Sequence, residues 1–245
     1  MFGNLNSQGT EAVKDSLGGG GFVIDTDAYP LTIKALYGGK SKHGSLFVQL
    51  IATKEDGKEY KETIYVTNQK GENFYTKDNK KYLLPGYILV NDLCKVVAGK
   101  ELHEMDQEDK VFKVYDPDAK GEVPKNVPML VEAVGAKFGA LIQRYKEFKQ
   151  VKNESTNQYE DTAETREGNN IEKVYDLDSK YTVVEATTGA ESATFVDAWL
   201  EAKKGKVYDK TAGKTPKTGA GNNGAPPKAG QAAAGGARPS LFKKS

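Results

Sequence analysis

The chain is poor in the side chains that most often build catalytic and metal sites. Its 245 residues include one cysteine, Cys94, and two histidines, His43 and His103. A single thiol excludes a disulfide within the chain, and the spacing of cysteine and histidine matches no zinc site. No phosphate-binding glycine loop is present, and Asp116 and Asp118 flank a proline in what reads as a structural turn. We therefore expect no enzyme activity, no metal and no cofactor.

Long apolar runs are also absent. Hydrophobic residues make up 38% of the chain, a low share for a globular protein, so part of the chain is expected to lie outside any core. No run has the length that a helix needs to cross a bilayer. The opening residues, Met1 to Asn4, lack the basic and apolar regions of a secretory signal. These absences predict a soluble intracellular protein that does not contact a membrane.

Acidic residues are missing from the last part of the chain. Residues 210–245 contain no Asp or Glu and seven basic residues, which are Lys210, Lys214, Lys217, Lys228, Arg238, Lys243 and Lys244. Subtracting these seven from the 35 basic residues of the chain leaves 28 in residues 1–209, against 34 acidic residues. The segment is rich in Gly, Ala and Pro, so it cannot bury enough apolar surface to fold. We predict a disordered basic tail that either contacts nucleic acid or only aids solubility.

Composition divides the remaining chain into two parts. Residues 1–21 are polar and end in four glycines, which predicts a flexible N-terminal arm, or a short helix at 10–17 followed by a flexible joint. Residues 22–209 carry the apolar patterns of one folded domain. Strands are predicted at 31–37, 45–53, 59–68, 111–115 and 138–151, with a helix at 88–97 ahead of Gly99. Helical pieces are also predicted at 129–134 and 183–203, and polar loops or hairpins at 69–85 and 152–170.

This order of elements predicts a mainly β fold. Three strands, a helix and two further strands are the elements of the OB-fold, a five-stranded Greek-key barrel. Within it, Leu31, Ile33 and Ala35 share one face of the first strand, and Leu46, Val48, Leu50 and Ala52 share one face of the second. Other small β domains contain the same elements, so they stay open as alternatives.

Aromatic and basic residues alternate on the opposite, outward faces of these strands. Single-stranded nucleic acid is bound by rings that stack on bases and by cations that follow phosphates. The candidates on the first three strands are Lys34, Tyr37, Phe47, Lys61 and Tyr65. A flap after the third strand adds Phe74, Tyr75 and Lys77, together with Lys80, Lys81 and Tyr82. The long strand offers a second strip of Arg144, Tyr145, Lys146 and Lys149.

The same aromatic residues have a structural explanation. Tyr and Phe are common on strands because they fit a half-buried pleated surface, so each ring can instead pack under a loop. The acidic balance of residues 1–209 also opposes DNA binding, which usually requires a basic surface. The residues alone leave both interpretations open.

Several sequence strings decide between these interpretations by resemblance. They are MFGNLN at 1–6, GKEYKETIYVTN at 57–68, KGENF at 70–74, LPG at 84–86, VYDP at 114–117, VPML at 127–130, TRE at 165–167, IEKV at 171–174 and FVDAW at 195–199. Together they resemble the OB-fold single-stranded-DNA-binding proteins of tailed bacteriophages, over about residues 1–205. The resemblance implies a non-enzymatic protein that coats single-stranded DNA during replication or recombination in the cytoplasm of an infected bacterium.

The tail departs from that family. Many single-stranded-DNA-binding proteins end in an acidic tail that recruits replication proteins, whereas this tail is basic. We therefore expect it to bind duplex DNA weakly, or to fold back on the acidic body. Leu241 and Phe242, its only large apolar residues, resemble the end of a peptide that docks on bacterial sliding clamps, and the alternative is a chance pair beside basic residues. A phage decoration or tail protein, also β-rich, is the alternative function.

Overall fold

The computed structural model describes residues 23–116, 119–155 and 159–217, and these form a mainly β protein. The strands are β1 (Asp27–Lys40), β2 (Leu46–Lys54), β3 (Glu59–Tyr65), β4 (Phe74–Lys77), β5 (Lys80–Leu83), β6 (Gln107–Asp116), β7 (Gly121–Leu130), β8 (Lys137–Lys152), β9 (Tyr159–Tyr175) and β10 (Tyr208–Asp209). The helices are α1 (Pro85–Ala98), α2 (Val183–Thr188) and α3 (Phe195–Lys203). The mainly β prediction is confirmed. The predicted arm at 1–21 lies outside the described residues.

The main sheet is built around β1, and all of its ladders are antiparallel except the short one between β10 and β8. Strand β2 pairs along one side of β1 and continues to β3, and β8 pairs along the other side and continues to β9. The β6–β7 hairpin joins β1 through Tyr37 and Met129, and β4 and β5 form a separate hairpin. No ladder joins β3 to β9 among the described residues, so the hydrogen-bonded sheet is open. It therefore differs from the closed five-stranded barrel that was predicted.

Alternation along β2 places its apolar residues as predicted, with one exception. Val48, Leu50 and Ala52 are buried in the main core with Phe138 of β8. Leu46 is 44% exposed because it begins the strand, beyond the edge of that core. The opposite face of β2 is also covered where the β6–β7 hairpin crosses it, and this covering forms a second core of Ala35, Tyr37, Ile51, Val127 and Met129.

An irregularity in β1 divides its side chains between the two cores. The register with β2 shifts between Ile33 and Ala35, so that Lys34 is the extra residue of a β-bulge. Leu31, Ile33 and Leu36 face the main core, whereas Ala35 faces the second core. The predicted shared face of Leu31, Ile33 and Ala35 is therefore wrong at Ala35, because simple alternation does not continue through a bulge.

Helix α1 confirms the predicted helix and extends it. Pro85 occupies the first turn, where its missing N–H costs no hydrogen bond, and Gly99 ends the helix with a φ of 68°. Val90 and Leu93 are buried against the sheet. Gly86 lies so close to β3 that a Cβ atom there would come within 2.1 Å of the Tyr65 carbonyl oxygen. This contact fixes the start of α1 beside the end of β3.

Three other predicted elements are corrected. Residues 129–134 end β7 and form a 3₁₀ turn at Val131–Ala133 rather than a helix. Residues 159–170 belong to β9 rather than to a polar loop, since they pair with β8 in a long two-stranded ribbon. Most of that ribbon is exposed on both faces, so it has no apolar side to produce an alternating pattern. The short strand predicted at 111–115 is part of the ten-residue β6.

The beginning of the predicted tail lies against the β8–β9 ribbon. Tyr208 pairs with Tyr145 in a short parallel ladder, and the Lys210 N–H donates to the Lys146 carbonyl oxygen over 2.9 Å. Farther along, the Asp161 N–H donates to the Lys217 carbonyl oxygen over 3.0 Å. Residues 210–217 thus extend the folded part beyond the predicted boundary at 209, and residues 218–245 lie outside the described part.

Candidate nucleic-acid interface

Phe47 and Tyr65 form a ring pair on β2 and β3, in which Phe47 is half-buried and Tyr65 is exposed. They are directly opposite each other in the ladder, with ring centroids 6.0 Å apart in an edge-to-face arrangement. Tyr65 is 47% exposed. The Phe47 ring lies across Gly39 of β1, where a Cβ atom would come within 2.3 Å of the ring. The glycine therefore lets the Phe47 ring lie low on the sheet surface beside Tyr65.

A second exposed ring pair lies on the β4–β5 hairpin. Tyr75 and Tyr82 are stacked with centroids 5.6 Å apart, and they are 46% and 42% exposed. The turn residues, Asp78 and Asn79, have positive φ angles of 50° and 58°, which suit a tight two-residue hairpin. Side chains alternate along each strand, so Lys77 and Lys80 lie on the same face as the two rings.

Both ring pairs belong to one end of the molecule. The base of the β4–β5 hairpin is closed by the Leu84 N–H, which donates to the Asn73 carbonyl oxygen over 2.8 Å, and Leu84 is buried. Two residues later, Gly86 touches the backbone of Tyr65. We call this region the aromatic end, defined by Phe47, Tyr65, Tyr75 and Tyr82. Phe74, at the base of the hairpin, has the Lys81 Nζ atom 4.3 Å from its ring centroid.

Lysines at the aromatic end differ from most others in the described part of the chain. Lys40, Lys42, Lys70, Lys77 and Lys80 make no ion pair with any described carboxylate. Lys42 and Lys70 lie in two turns that touch each other, since Gly44 approaches the Gln69 carbonyl oxygen. Of the nearby carboxylates, Glu72 accepts a hydrogen bond from Asn68. The aromatic end thus combines open rings with positive charge that no ion pair offsets.

Three of the predicted contact residues on the first strands are not open in this way. Lys34 forms an ion pair with Glu59. Lys61 lies 3.1 Å from Glu59 and 3.6 Å from Glu122, as measured between the ammonium nitrogen and carboxylate oxygens. Tyr37 is only 6% exposed and packs against Phe112. Phe47 and Tyr65, in contrast, are paired across β2 and β3, and Phe74, Tyr75 and Lys77 lie on the β4–β5 hairpin that follows β3.

The residues of the second predicted strip, on β8, already contact other residues of the same chain. Arg144 makes ion pairs with Glu167 at 2.6 Å and with Asp25 at 2.9 Å. The Lys210 Nζ atom lies 3.3 Å from the centroid of the Tyr145 ring, and Lys146 pairs with Asp209 at 3.4 Å. Lys149 pairs with Glu164. These four residues therefore offer neither an open ring nor a cation without an ion pair.

The fold also adds residues that sequence reasoning missed. Lys40 ends β1, Lys42 lies in the β1–β2 turn and Lys70 follows β3, in segments where no ring is adjacent in sequence. The available signal was the basic run from Lys40 to His43. The importance of Gly39 could not be read from the sequence, because it depends on the ring across the ladder.

One buried carboxylate lies between β3 and β9. The Tyr60 hydroxyl donates to Glu62 Oε2 over 2.7 Å, and the Ile171 N–H donates to the same oxygen over 3.0 Å. Burial of the carboxyl group raises the pKa of Glu62 to about 7, although both hydrogen bonds oppose that shift. Glu62 therefore spans the gap that the sheet ladder leaves open, and its charge is sensitive to pH near neutrality.

Comparisons with known proteins leave the function to be argued from this geometry. No family model matches the chain, and no curated protein matches its sequence. Within residues 23–116, 119–155 and 159–217, no three side chains of His, Cys, Asp or Glu are grouped so that they can hold a metal ion. No helix in those ranges is long and apolar enough to cross a membrane.

Proposed function

We propose that this protein binds single-stranded DNA at the aromatic end. The observation that carries the proposal is the coincidence there of two ring pairs, three of whose four rings are exposed, with five lysines that make no ion pair with a described carboxylate. Rings accept any base by stacking, at about 1–3 kcal/mol per base, and cations follow the phosphates without regard to sequence. The acidic balance of the whole body matters less than this local excess of positive charge.

The arrangement of strands supports an OB-type core beneath this surface. Strands β1, β2 and β3 precede α1, and β8 and β9 follow it, which is the order of that fold. Glu62 links β3 to the β9 backbone where a closed barrel has a ladder. On this proposal the β4–β5 and β6–β7 hairpins are insertions. The outer face of the second and third strands, where OB-folds bind oligonucleotides, carries Phe47 and Tyr65.

A role in coating phage DNA during replication or recombination rests on the resemblance and is part of the same proposal. The tail contributes separately. Lys210 is engaged with Tyr145 and Glu147, whereas Lys214 and Lys217 make no ion pair with a described carboxylate. The remaining tail cations, and the proposed partner hook of Leu241 and Phe242, lie outside the described residues and stay predictions.

Fluorescence anisotropy with labelled oligo-dT and with a labelled duplex, each at several salt concentrations, tests the proposal. We expect the full chain to bind oligo-dT more tightly than duplex, with an affinity that falls as salt rises. A phage decoration or tail protein, which has no need for this surface, would show no such preference. Absence of salt-sensitive binding to oligo-dT would overturn the proposal.

A further inference from the structure

Strand β6 has one free edge. Among the described residues it forms a ladder only with β7, over ten consecutive pairs from Gln107 and Leu130 to Asp116 and Gly121. Long free edges are usually blunted by proline, by several lysines or by a bulge, because they otherwise pair with another strand. The β6 ladder has no register shift and β6 contains no proline. Five of its ten residues are charged, but they include both signs, so they do not repel every partner strand. Its outer edge is therefore a surface on which another strand can add.

Two prolines in β7 show which backbone groups of β6 point toward that edge. Pro128 is opposite Asp109, and Pro124 is opposite Lys113. Proline has no N–H, so neither pair can exchange two hydrogen bonds with β7. The backbone groups of Asp109 and Lys113 therefore point away from β7, and so do those of Val111 between them, because hydrogen bonding alternates along the strand.

The side chains of these same residues are exposed and make no ion pairs. Val111 is 71% exposed, the highest value among the large apolar residues of the described part. Asp109 and Lys113 flank it on the same face, and neither makes an ion pair with a described residue. Tyr115, next on that face, is 63% exposed. On this face Val111 lies between the acidic Asp109 and the basic Lys113. The strand is therefore complementary to the same strand of a second copy that runs in the opposite direction.

We propose that two copies of this chain associate through antiparallel pairing of their β6 edges, with Val111 opposite Val111 on the twofold axis. In this register Asp109 of each copy lies opposite Lys113 of the other, and Gln107 lies opposite Tyr115. All of these residues have backbone groups directed at the shared edge, so the pairs exchange hydrogen bonds across it. Opposite charges directly across a ladder stabilise it. The twofold symmetry produces two such Asp109–Lys113 pairs, one on each side of the axis.

The alternative registers are less favourable. A slip of two residues in either direction places Val111 opposite Lys113 or Asp109, and neither Asp109 nor Lys113 then lies opposite a residue of the other charge. A slip of one residue turns the backbone groups of one strand away from those of the other. The charge pattern thus selects one register and one partner, a second copy of the same chain. This inference does not depend on DNA binding.

Charge exchange at the two flanking positions tests the pairing. Light scattering coupled to size exclusion is expected to give wild type a mass of twice 26.7 kDa at high concentration. Asp109→Lys and Lys113→Asp each place like charges opposite each other twice and should weaken association by about tenfold or more. The double exchange Asp109→Lys, Lys113→Asp restores opposite charges and should restore the dimer. A wild type that stays monomeric, or a dimer that ignores the single changes, overturns the proposal.

A cysteine cross-link tests the register itself. In Val111→Cys the two thiols face each other across the axis, at a Cα separation that a disulfide can bridge. In the control Tyr115→Cys, equally on the exposed face, the two thiols are about 27 Å apart. The native Cys94 is buried, so it should not form a disulfide between copies. Mild oxidation should give a reducible dimer for Val111→Cys alone, and equal cross-linking of both variants contradicts this register.

Discussion

Gly39 and Phe47 face each other across β1 and β2, and the ring of Phe47 occupies the space that a side chain at position 39 would fill. A Cβ atom there would come within 2.3 Å of the ring. Gly39→Ala should therefore displace the ring from the aromatic end and weaken binding to oligo-dT by about 1–3 kcal/mol if a base stacks there.

Gly38→Ala is the matched control for this change. Its added methyl group meets only Pro128, at 3.6 Å, which is an ordinary contact distance. Anisotropy should show wild-type affinity for Gly38→Ala and reduced affinity for Gly39→Ala, while circular dichroism shows both folded. Equal affinities for the two variants would place the base contacts elsewhere.

Unpaired and paired lysines should differ in their effect on the salt dependence of binding. Lys80 makes no ion pair in the described structure, whereas Lys149, on the β8–β9 ribbon, pairs with Glu164 at 2.7 Å. If Lys80 contacts a phosphate, Lys80→Ala should reduce the slope of log affinity against log salt by about 0.7. Lys149→Ala should leave the slope unchanged. The idea fails if both variants keep the wild-type slope, or if both lose the same amount.

Glu62 should make stability depend on pH near neutrality. Its pKa in the folded protein is about 7, above the ordinary 4.5, so the folded state holds the proton more tightly than the unfolded state does. The resulting penalty is absent below about pH 4.5, grows as pH rises toward 7, and is complete above that. Glu62→Gln removes it, and should therefore stabilise the protein at alkaline pH by up to about 3 kcal/mol relative to acidic pH.

Urea unfolding of wild type and Glu62→Gln at pH 5 and pH 8 measures this difference. The amide oxygen of glutamine can still accept from Tyr60 and Ile171, so the main change is the loss of charge. A difference between the two proteins that is the same at both pH values would show that the carboxyl group does not titrate in this range.

The part of the tail at 218–245 should bind both single-stranded and duplex DNA. Residues 218–245 hold Lys228, Arg238, Lys243 and Lys244 and no acid. Truncation after Lys217 keeps the residues that lie on the ribbon and removes these four cations. We expect weaker duplex binding and little change with oligo-dT, because the aromatic end is intact. Unchanged duplex affinity after truncation would show that this part of the tail does not bind DNA.

Features that depend on neighbouring residues in the chain were predictable from the sequence, whereas features that depend on packing between distant segments were not. Alternation along β2 predicted Val48 and Leu50 in the core, because each residue's face follows from its own position in the strand. The bulge at Lys34 could not be predicted in this way, since it is set by packing of β1 against two cores. The β9 ribbon was missed because its stability comes from pairing with β8 and not from an apolar face.

The candidate interface shows the same division. Phe47 and Tyr65 were predicted to face outward, and their position opposite each other on one face of the ladder follows from alternation. Tyr37 is buried in the second core, and the Tyr145 ring is covered by Lys210. Both rings are covered by segments that are distant from them in sequence, so their burial could not be predicted from alternation. Charge pairing is equally non-local, so a sequence cannot tell the unpaired Lys80 from the paired Lys146.

The most direct test of DNA binding at the aromatic end is the affinity of the double variant Tyr65→Ala, Tyr75→Ala for oligo-dT. Tyr159→Ala is the control, because Tyr159 is 63% exposed at the far tip of the β8–β9 ribbon. The proposal predicts a loss of about 1–3 kcal/mol for each ring that stacks on a base, and no loss for Tyr159→Ala. Folded protein that binds oligo-dT as tightly without Tyr65 and Tyr75 as with them would contradict it.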